Sequence, residues 1–171
     1  MTKSIETDIL IIGAGPVGLF TVFEAGLLGL KCHLVDNLDK IGGQCIELYP
    51  EKPIYDIPGV PNQTGKEHID SLLKQIEPFD YEVHLNQRVD KIEQSGDYWI
   101  AETTDGISFK TLNIFIAAGA GSFEPRKPPV ESPDKFLGKG IDYAVRSVDK
   151  YKDKAIVIFG GGDSALDWSV E

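Results

Sequence analysis

The sequence predicts an α/β fold built around a parallel sheet, and three observations support this fold class. First, residues 8–18 join a short apolar run to a glycine-rich turn and an apolar helical pattern. Second, another apolar run follows that helix at residues 31–35 and ends in an acidic residue. Third, an apolar run and a glycine-rich turn recur at residues 154–166. A strand, a tight glycine turn and a helix in this order are typical of a Rossmann-like, dinucleotide-binding unit.

The glycines of the first turn, Gly13, Gly15 and Gly18, have the spacing Gly-x-Gly-x-x-Gly. In this motif the first glycine allows the turn, the second lets the backbone approach a pyrophosphate, and the third lets the helix pack closely. The helix N-terminus offers free N–H groups to phosphates, and Pro16 suits its first turn. Asp36 follows roughly 20 residues later, where it would accept hydrogen bonds from a ribose hydroxyl. The alternative is a turn that uses glycine only for packing.

A second glycine-containing loop follows the second predicted strand. The pair Gly42-Gly43 predicts another close approach of the backbone, most simply to the other side of the same dinucleotide. Residues 46–59 contain three prolines and two tyrosines, which predicts a rigid and irregular surface loop. Tyr49 and Tyr55 are able to stack on a flat ring, and the alternative is that both tyrosines cover the core.

An amphipathic helix is predicted from residue 64 onward. Thr64 and Glu67 have the spacing of a capping box, and Pro78 predicts the end of the helix. By its spacing His68 lies on the solvent side, so we interpret it as a surface residue and not as a ligand. The apolar positions recur at helical spacing and are Ile69, Leu72, Leu73 and Ile76.

Short alternating runs then predict strands at residues 81–85, 88–93, 98–103 and 107–110. Turn residues separate the last three, which predicts a β-meander. The meander leads into residues 112–119, which we interpret as a separate buried strand. That strand ends in small residues, so its backbone would also lie close to a cofactor.

Residues 120–133 carry four of the ten prolines, and we place a domain boundary in this linker. After it, residues 155–159 predict a strand that leads to Gly160, Gly162 and Ala165, with alanine as the permitted third residue of the motif. Two such motifs imply two dinucleotides, or one dinucleotide domain split by another. The sequence stops soon after the second motif, so we expect the N-terminal part of a longer protein. Otherwise residues 155–171 pack in another way.

The composition argues against two classes of partner. A net charge of −10 disfavours binding to nucleic acid or to an anionic membrane surface. The N-terminus lacks the pattern of a signal peptide, and no apolar run is long enough to span a bilayer. Cys32 and Cys45 form neither a disulfide framework nor a metal-ligand cluster, and Cys32 fits a buried strand position. These observations predict a cytoplasmic protein.

Six stretches together resemble the thioredoxin-reductase-like class of ferredoxin/flavodoxin–NADP reductases. They are residues 13–18, 42–44, 48–52, 55–59, 118–119 and 160–165. The resemblance covers essentially the whole sequence and about half of a family member. It implies a Rossmann-like FAD-binding domain with parallel sheet, helices and meander at residues 1–119. The start of a second Rossmann-like, NADPH-binding domain would follow at residues 120–171.

The resemblance also implies roles for single residues. The first three glycines would hold the FAD pyrophosphate, and Asp36 would hold the adenosine ribose. Gln44 and Tyr49 would lie at the isoalloxazine and ribityl end, with Tyr49 stacked on the ring. Asp56 would lie near the reactive edge of the flavin, and the Val89 backbone beside adenine. No catalytic residue or metal ligand is predicted, and the cofactor-binding residues are Gly13, Gly15, Pro16, Gly18, Asp36, Gly43, Gln44, Tyr49, Asp56, Val89, Phe123, Gly160, Gly162, Asp163, Ser164 and Ala165.

The expected activity is electron transfer from NADPH through FAD to ferredoxin or flavodoxin, and the resemblance implies a homodimer. Thioredoxin reductases carry a Cys-x-x-Cys pair before the second glycine motif, whereas residues 140–146 contain no cysteine. Without a dithiol there is no relay to a disulfide, so an external acceptor is expected. A basic docking patch for an acidic partner would comprise Arg126, Lys127, Lys135 and Lys139, unless these are scattered solubilising charges or the patch lies elsewhere.

Two other functions stay open from the sequence. One is another flavoprotein with two dinucleotides, such as a diaphorase or a flavin-dependent monooxygenase. The other is a chain that is inactive by itself. The choice between NADPH and NADH also stays open, because the arginines that read the 2′-phosphate normally follow a later strand.

Overall fold

The computed structural model describes residues 4–121 and 127–170, and six of its strands form one mixed sheet. The strands and helices, in chain order, are β1 (Ser4–Ile12), α1 (Pro16–Leu27), β2 (Cys32–Val35), α2 (Gln44–Glu47), β3 (Pro53–Ile54), β4 (Gln63–Thr64), α3 (Gly65–Ile76), β5 (Tyr81–His84), β6 (Val89–Ser95), β7 (Tyr98–Thr103), β8 (Ser108–Ile116) and α4 (Asp163–Val170). Two short 3-10 segments lie at Pro133–Phe136 and Val148–Tyr151.

The strand order of the main sheet is β5-β2-β1-β8-β7-β6. The first four strands are parallel, whereas β8, β7 and β6 are antiparallel neighbours. This arrangement confirms the predicted α/β fold with a parallel sheet and a meander. Because the carboxyl ends of parallel strands meet at one edge, the turns after β1 and β2 lie side by side there.

The core occupies both faces of the sheet. On one face Ile11 and Leu34 pack with Leu19 of α1 and Ile69 of α3. On the other face Leu10, Val35, Ala101 and Phe109 form a second cluster. Both faces of β1 are therefore covered at residues 9–11, as its continuous apolar run predicts. This packing fixes the position of the carboxyl end of β1.

The N-terminus of α3 has the predicted capping box. The Thr64 hydroxyl accepts the N–H of Glu67 at 3.2 Å, and the Glu67 carboxylate accepts the N–H of Thr64 at 2.8 Å. The helix ends at Ile76, before Pro78, and it buries Ile69 and Ile76 against the sheet. The prediction for this helix is confirmed, although His68 is half-buried and not fully exposed.

One prediction about the meander is wrong. Residues 107–110 and 112–119 were expected as two strands, but β8 runs without a break from Ser108 to Ile116. Its carboxyl-terminal half is also not buried, since Leu112 and Phe115 are about half exposed and Ile116 more so. Ile114 of this half packs against the second core cluster, whereas Leu112, Phe115 and Ile116 lie beyond the residues of β8 that pair with β7.

The strand predicted at residues 155–159 is also wrong, whereas the helix after it forms as α4. Ile156, Val157 and Phe159 are exposed, and Val157 is 94% exposed. A β-strand needs a hydrogen-bonded neighbour, and residues 4–121 and 127–170 provide none for this segment. Across the same ranges, every helix is too short or too polar to cross a membrane.

Candidate dinucleotide-binding site

The turn between β1 and α1 uses two of its glycines for its own packing. Gly13 has a φ of 109°, and a Cβ there would overlap the carbonyl oxygen of Ala117 at the end of β8. A Cβ on Gly18 would overlap the carbonyl oxygen of Gly13. These two glycines are therefore required by the fold itself, because neither backbone oxygen is able to move away cheaply.

Gly15 differs from its neighbours because the fold does not require it. Its backbone conformation is extended, with φ −76°, and the nearest atom to an added Cβ is the Gly43 Cα at 3.8 Å. Conversely, a Cβ on Gly43 would lie 3.0 Å from the Gly15 Cα. The two glycine loops thus face each other, and the Gly42 N–H bonds the Ala14 carbonyl at 2.9 Å. Gly15 therefore leaves the backbone open at the N-terminus of α1, as the second glycine of this motif does in dinucleotide-binding units.

The N-terminus of α1 opens at the same place. Pro16 stands in its first turn, as predicted, and Gly15 is the N-cap residue. Within the described ranges no side chain caps this end, and its first turn contains no acidic residue. The N–H groups and the positive end of the helix dipole at this site favour binding of an anion such as a phosphate.

Asp36 lies at the end of β2 and holds the two turns together. One carboxylate oxygen accepts the Ala14 N–H at 2.7 Å, and the other accepts the Leu38 N–H at 2.8 Å. Each oxygen still has a lone pair, so the carboxylate is able to accept a hydroxyl group as well. The Gln87 N–H bonds the Asp36 carbonyl at 2.9 Å, which brings the segment before Val89 over the same edge.

A cavity of about 380 Å³ lies between the α2 loop, residues 143–148 and α4. Among the predicted residues, Gln44, Tyr49 and Ser164 line it. Gln44 also reaches toward the end of β8, because a Cβ on Gly119 would lie 3.8 Å from its side-chain nitrogen. Burial raises the pKa of Tyr49, so its hydroxyl stays protonated at neutral pH. The remaining lining residues are Leu48, Pro50, Glu51, Lys52, Tyr143, Val145, Val148, Asp167 and Trp168.

Several predicted residues do not join this cavity. Gly160, Gly162 and Asp163 lie at the exposed N-terminus of α4 with the half-buried Ala165, and of this motif only Ser164 reaches the lining. Asp56 is exposed and also lies outside the lining. Phe123 and Arg126 lie outside the described residues. Of the other basic residues predicted for docking, Lys127 pairs with Asp134 at 2.7 Å, and Lys135 and Lys139 are exposed.

Two ion pairs near the site were not apparent from the sequence. Lys52 bonds Asp167 of α4 at 2.6 Å, and both residues line the cavity. Arg146 lies 3.2 Å from Asp39 and 2.5 Å from Glu47, and the hydrogen bonds from Arg146 lower the pKa of Asp39. The partners are far apart in the sequence, so no local pattern indicates either pair. Both connect the α2 region to the segment after residue 140.

The two cysteines do not form a redox pair. Cys32 is buried in β2, as predicted, and burial raises its pKa to about 11. Cys45 is buried at α2, and burial also raises its pKa. A buried thiol with a raised pKa contains little thiolate, which is the reactive form. Neither cysteine is therefore suited to electron relay.

The chain matches the family described as pyridine nucleotide-disulphide oxidoreductase over residues 7–171. A ferredoxin–NADP reductase of Bradyrhizobium sp. is 56% identical over 171 residues, which covers 99% of this chain and 50% of that protein. A ferredoxin–NADP reductase of Pelagibacter ubique is 54% identical over 167 residues, covering 98% and 49%. The chain spans about half the length of the curated relatives it matches.

Solved structures of similar fold include a thioredoxin reductase from Lactococcus lactis. It has a TM-score of 0.63 and 26% identity, covering 81% of this chain and 43% of that one. A ferredoxin-flavin thioredoxin reductase from Clostridium acetobutylicum has a TM-score of 0.57 and 26% identity, covering 82% and 45%. These matches confirm the resemblance and the Rossmann-like fold that the motifs predict.

Proposed function

Because the chain belongs to the pyridine nucleotide-disulphide oxidoreductase family, we propose that it serves in a flavoprotein that passes electrons between NADPH and ferredoxin or flavodoxin through FAD. The name of its curated relatives supports ferredoxin as the electron partner. One observation supports a dinucleotide at the first site: Gly15 and Gly43 face each other beside an uncapped helix N-terminus, and the packing of the chain does not require glycine at position 15. The choice of FAD for this dinucleotide rests on the family.

We call the space between Gly15 and Gly43 at the N-terminus of α1 the cradle. The residues around this cradle fit a dinucleotide along its whole length. Gly13, Gly15, Pro16, Gly18 and Gly43 would surround the pyrophosphate, where the backbone comes closest. Asp36 would accept the ribose hydroxyls while it keeps its two backbone partners. The Val89 backbone would border adenine, because the segment before it bonds to the end of β2.

The flavin ring end would lie toward Gln44 and Tyr49. Gln44 reaches from the cavity to Gly119, so its amide is placed to hydrogen-bond a ring or ribityl oxygen. Tyr49 would stack on the ring and exclude water from one face. On the resemblance alone, we also assign Asp56 to the ring end and Phe123 to the cofactor-binding residues.

The second dinucleotide would bind at the N-terminus of α4. We propose that residues 120–171 begin the NADPH-binding domain, with Gly160, Gly162, Asp163, Ser164 and Ala165 around its phosphates. Supporting this, Ser164 lines the same cavity as Tyr49, so a nicotinamide bound by α4 would approach the ring end of the first site.

FAD, when bound, supplies hydride acceptance from NADPH and release of single electrons. The chain's own residues bind, orient and shield the cofactor, and no acid or base among them is required. Buried thiols with raised pKa values and the lack of cysteine at residues 140–146 both favour an external acceptor over a protein dithiol. We further propose a cytoplasmic homodimer without nucleic-acid or membrane partners.

A visible absorption spectrum of the purified protein, before and after anaerobic NADPH, tests this function. Flavin bands that bleach on addition of NADPH, followed by ferredoxin reduction, are the expected result. Flavin bands that persist after addition of NADPH would mean that the chain binds FAD but lacks a working nicotinamide site. A colourless protein that does not take up added FAD would contradict the assignment of an FAD site between Gly15 and Gly43. Bleaching without ferredoxin reduction would favour a diaphorase.

A further inference from the structure

Two histidines and a glutamate meet at the β2–β5 edge of the sheet. His33 lies on β2, and Glu82 and His84 lie on β5. In the register of these parallel strands His33 is the partner of Glu82, and Val35 is the partner of His84. Because side chains alternate along a strand and partners point to the same face, all three project from one face. That face carries Phe109, and α1 and α3 pack on the opposite one.

The donor atoms of the three side chains lie close together. His33 Nδ1 is 2.9 Å from His84 Nε2 and 3.9 Å from a carboxylate oxygen of Glu82. All three donor atoms lie within 4.8 Å of one another. Ligands that bind zinc at about 2.0–2.2 Å in a tetrahedron stand roughly 3.3 Å apart. To reach that value, the two histidine rings must turn so that the distance between their facing nitrogens grows from 2.9 Å to roughly 3.3 Å, and Glu82 must rotate toward them at the surface.

The two imidazole rings are held firmly. His33 is 2% exposed, and its ring meets the His84 ring edge to edge, with centroids 5.2 Å apart, 14° between the planes and 2.9 Å between the facing nitrogens. Both rings also contact Phe109, at centroid distances of 5.9 Å for His33 and 5.1 Å for His84. Two ligands are thus neighbours before any ion arrives, which reduces the entropy lost when both rings turn to bind it.

Glu82 provides the access route. Its side chain is 56% exposed, so an ion is able to enter from solvent and keep a water molecule in its fourth position. One carboxylate oxygen lies 3.6 Å from the Lys31 ammonium, and the other faces His33. The Glu82 carboxylate is therefore shared between the surface ion pair with Lys31 and the contact with His33. Water strongly screens only the ion pair with Lys31.

We propose that His33, Glu82 and His84 form a binding site for a divalent transition-metal ion of the zinc type. Two imidazole nitrogens and one carboxylate oxygen suit such ions better than they suit magnesium or calcium, which prefer oxygen ligands. Above the ordinary histidine pKa of about 6.5 both rings are neutral and offer lone pairs. The two nitrogens that face each other at 2.9 Å would bind the ion, and the ring that donates in this hydrogen bond would then carry its proton on its other nitrogen.

The site would fasten an edge strand. Among residues 4–121 and 127–170, β5 has a single neighbour in the main sheet, β2, and an ion bound by both strands would join them by their side chains. The His84 carbonyl also accepts the Asp36 N–H at 3.0 Å. Metal binding would therefore stiffen the strand ends that carry Asp36, and it would stabilise the folded chain by mass action.

Titration calorimetry with zinc chloride tests the proposal on protein freed of metal with a chelator and dialysed, at about pH 7.5. The expected stoichiometry is one zinc ion per chain. Glu82→Gln and His84→Gln are expected to weaken binding by at least about tenfold, since even an outer-shell partner contributes roughly 10–100-fold. The chain has three histidines, so His68→Gln on α3 is the matched control and is expected to bind as the unchanged protein does.

Nuclear magnetic resonance of the unchanged protein gives a second readout that needs no variant to fold. On addition of zinc, the imidazole signals of His33 and His84 are expected to shift together, while those of His68 stay in place. Failure to bind zinc at one ion per chain would overturn the proposal. Equal affinity in His84→Gln, or signals of His33 and His84 that do not respond, would overturn it as well.

Discussion

The guanidinium of Arg146 lies 2.5 Å from a carboxylate oxygen of Glu47, a side chain that is only 11% exposed. The same guanidinium donates two hydrogen bonds of 3.2 Å to Asp39. Asp39 and Glu47 flank the second glycine loop, which contains Gly43. A residue far along the chain thus holds in place the loop that faces the first glycine turn.

Arg146→Ala is expected to lower the free energy of unfolding by about 1–3 kcal/mol. The change leaves the nearly buried Glu47 carboxylate without its cation, which is more costly than loss of a surface pair. Chemical denaturation of the two proteins measures the difference. Arg88→Ala is the matched control, because the Arg88–Asp90 pair is exposed on both sides and should contribute less than about 1 kcal/mol. Equal losses in the two variants would contradict the interpretation.

Asp39→Asn is expected to reduce stability at neutral pH but not in acid. Hydrogen bonds from Arg146 hold the pKa of Asp39 below its ordinary value. A carboxyl group of lowered pKa stabilises the fold above its ordinary pKa of about 4, and this contribution is lost as the pH falls through the lowered value. Because both side chains are substantially exposed, the difference at pH 7 should stay below about 1 kcal/mol. Unfolding at several pH values checks it, and a difference independent of pH would refute a role for the Asp39 charge.

Gly15→Ala is expected to reduce FAD retention, whereas Gly18→Ala is expected to reduce the stability of the fold. An added Cβ at position 15 would be 3.8 Å from its nearest neighbour, so that variant should fold with near-normal stability but retain less FAD. A Cβ at position 18 would overlap the Gly13 carbonyl, so overpacking should destabilise the second variant by at least about 1–3 kcal/mol.

Thermal unfolding and the ratio of flavin to protein absorbance distinguish these two outcomes. Gly161→Ala is the control for flavin retention, because an added Cβ there has open space and lies in the second glycine motif. If Gly15→Ala retained FAD as fully as Gly161→Ala, the cradle between Gly15 and Gly43 would not be the pyrophosphate site.

Tyr49→Ala is expected to weaken FAD binding and slow NADPH oxidation. An aromatic ring stacked on a nucleotide base contributes about 1–3 kcal/mol, and a flavin should give a similar loss, on the order of tenfold in Kd. Flavin fluorescence titration measures the affinity. Tyr55→Ala is the control, because Tyr55 is 70% exposed and lies outside the cavity lining. Unchanged affinity and turnover in Tyr49→Ala would remove Tyr49 from the site.

The sequence by itself determined the elements whose causes are local. The glycine spacing at residues 13–18, the apolar run of β1 and the Thr64–Glu67 capping box each involve neighbours within a few positions. Their conformations follow from backbone sterics and short hydrogen bonds, so the pattern alone predicts them. The same local chemistry supports the assignment of the β1–α1 turn to a dinucleotide.

Only the tertiary structure decided how distant segments meet. Pairing of β5 with β2, the unbroken course of β8 and the exposure of residues 155–159 depend on which strand edges are available, and no local pattern encodes that. The contact of Arg146 with Glu47 and the meeting of His33 with His84 join residues far apart in the chain. Their side chains become neighbours because the parallel sheet brings its strands and their ends together, and this arrangement is a property of the whole fold.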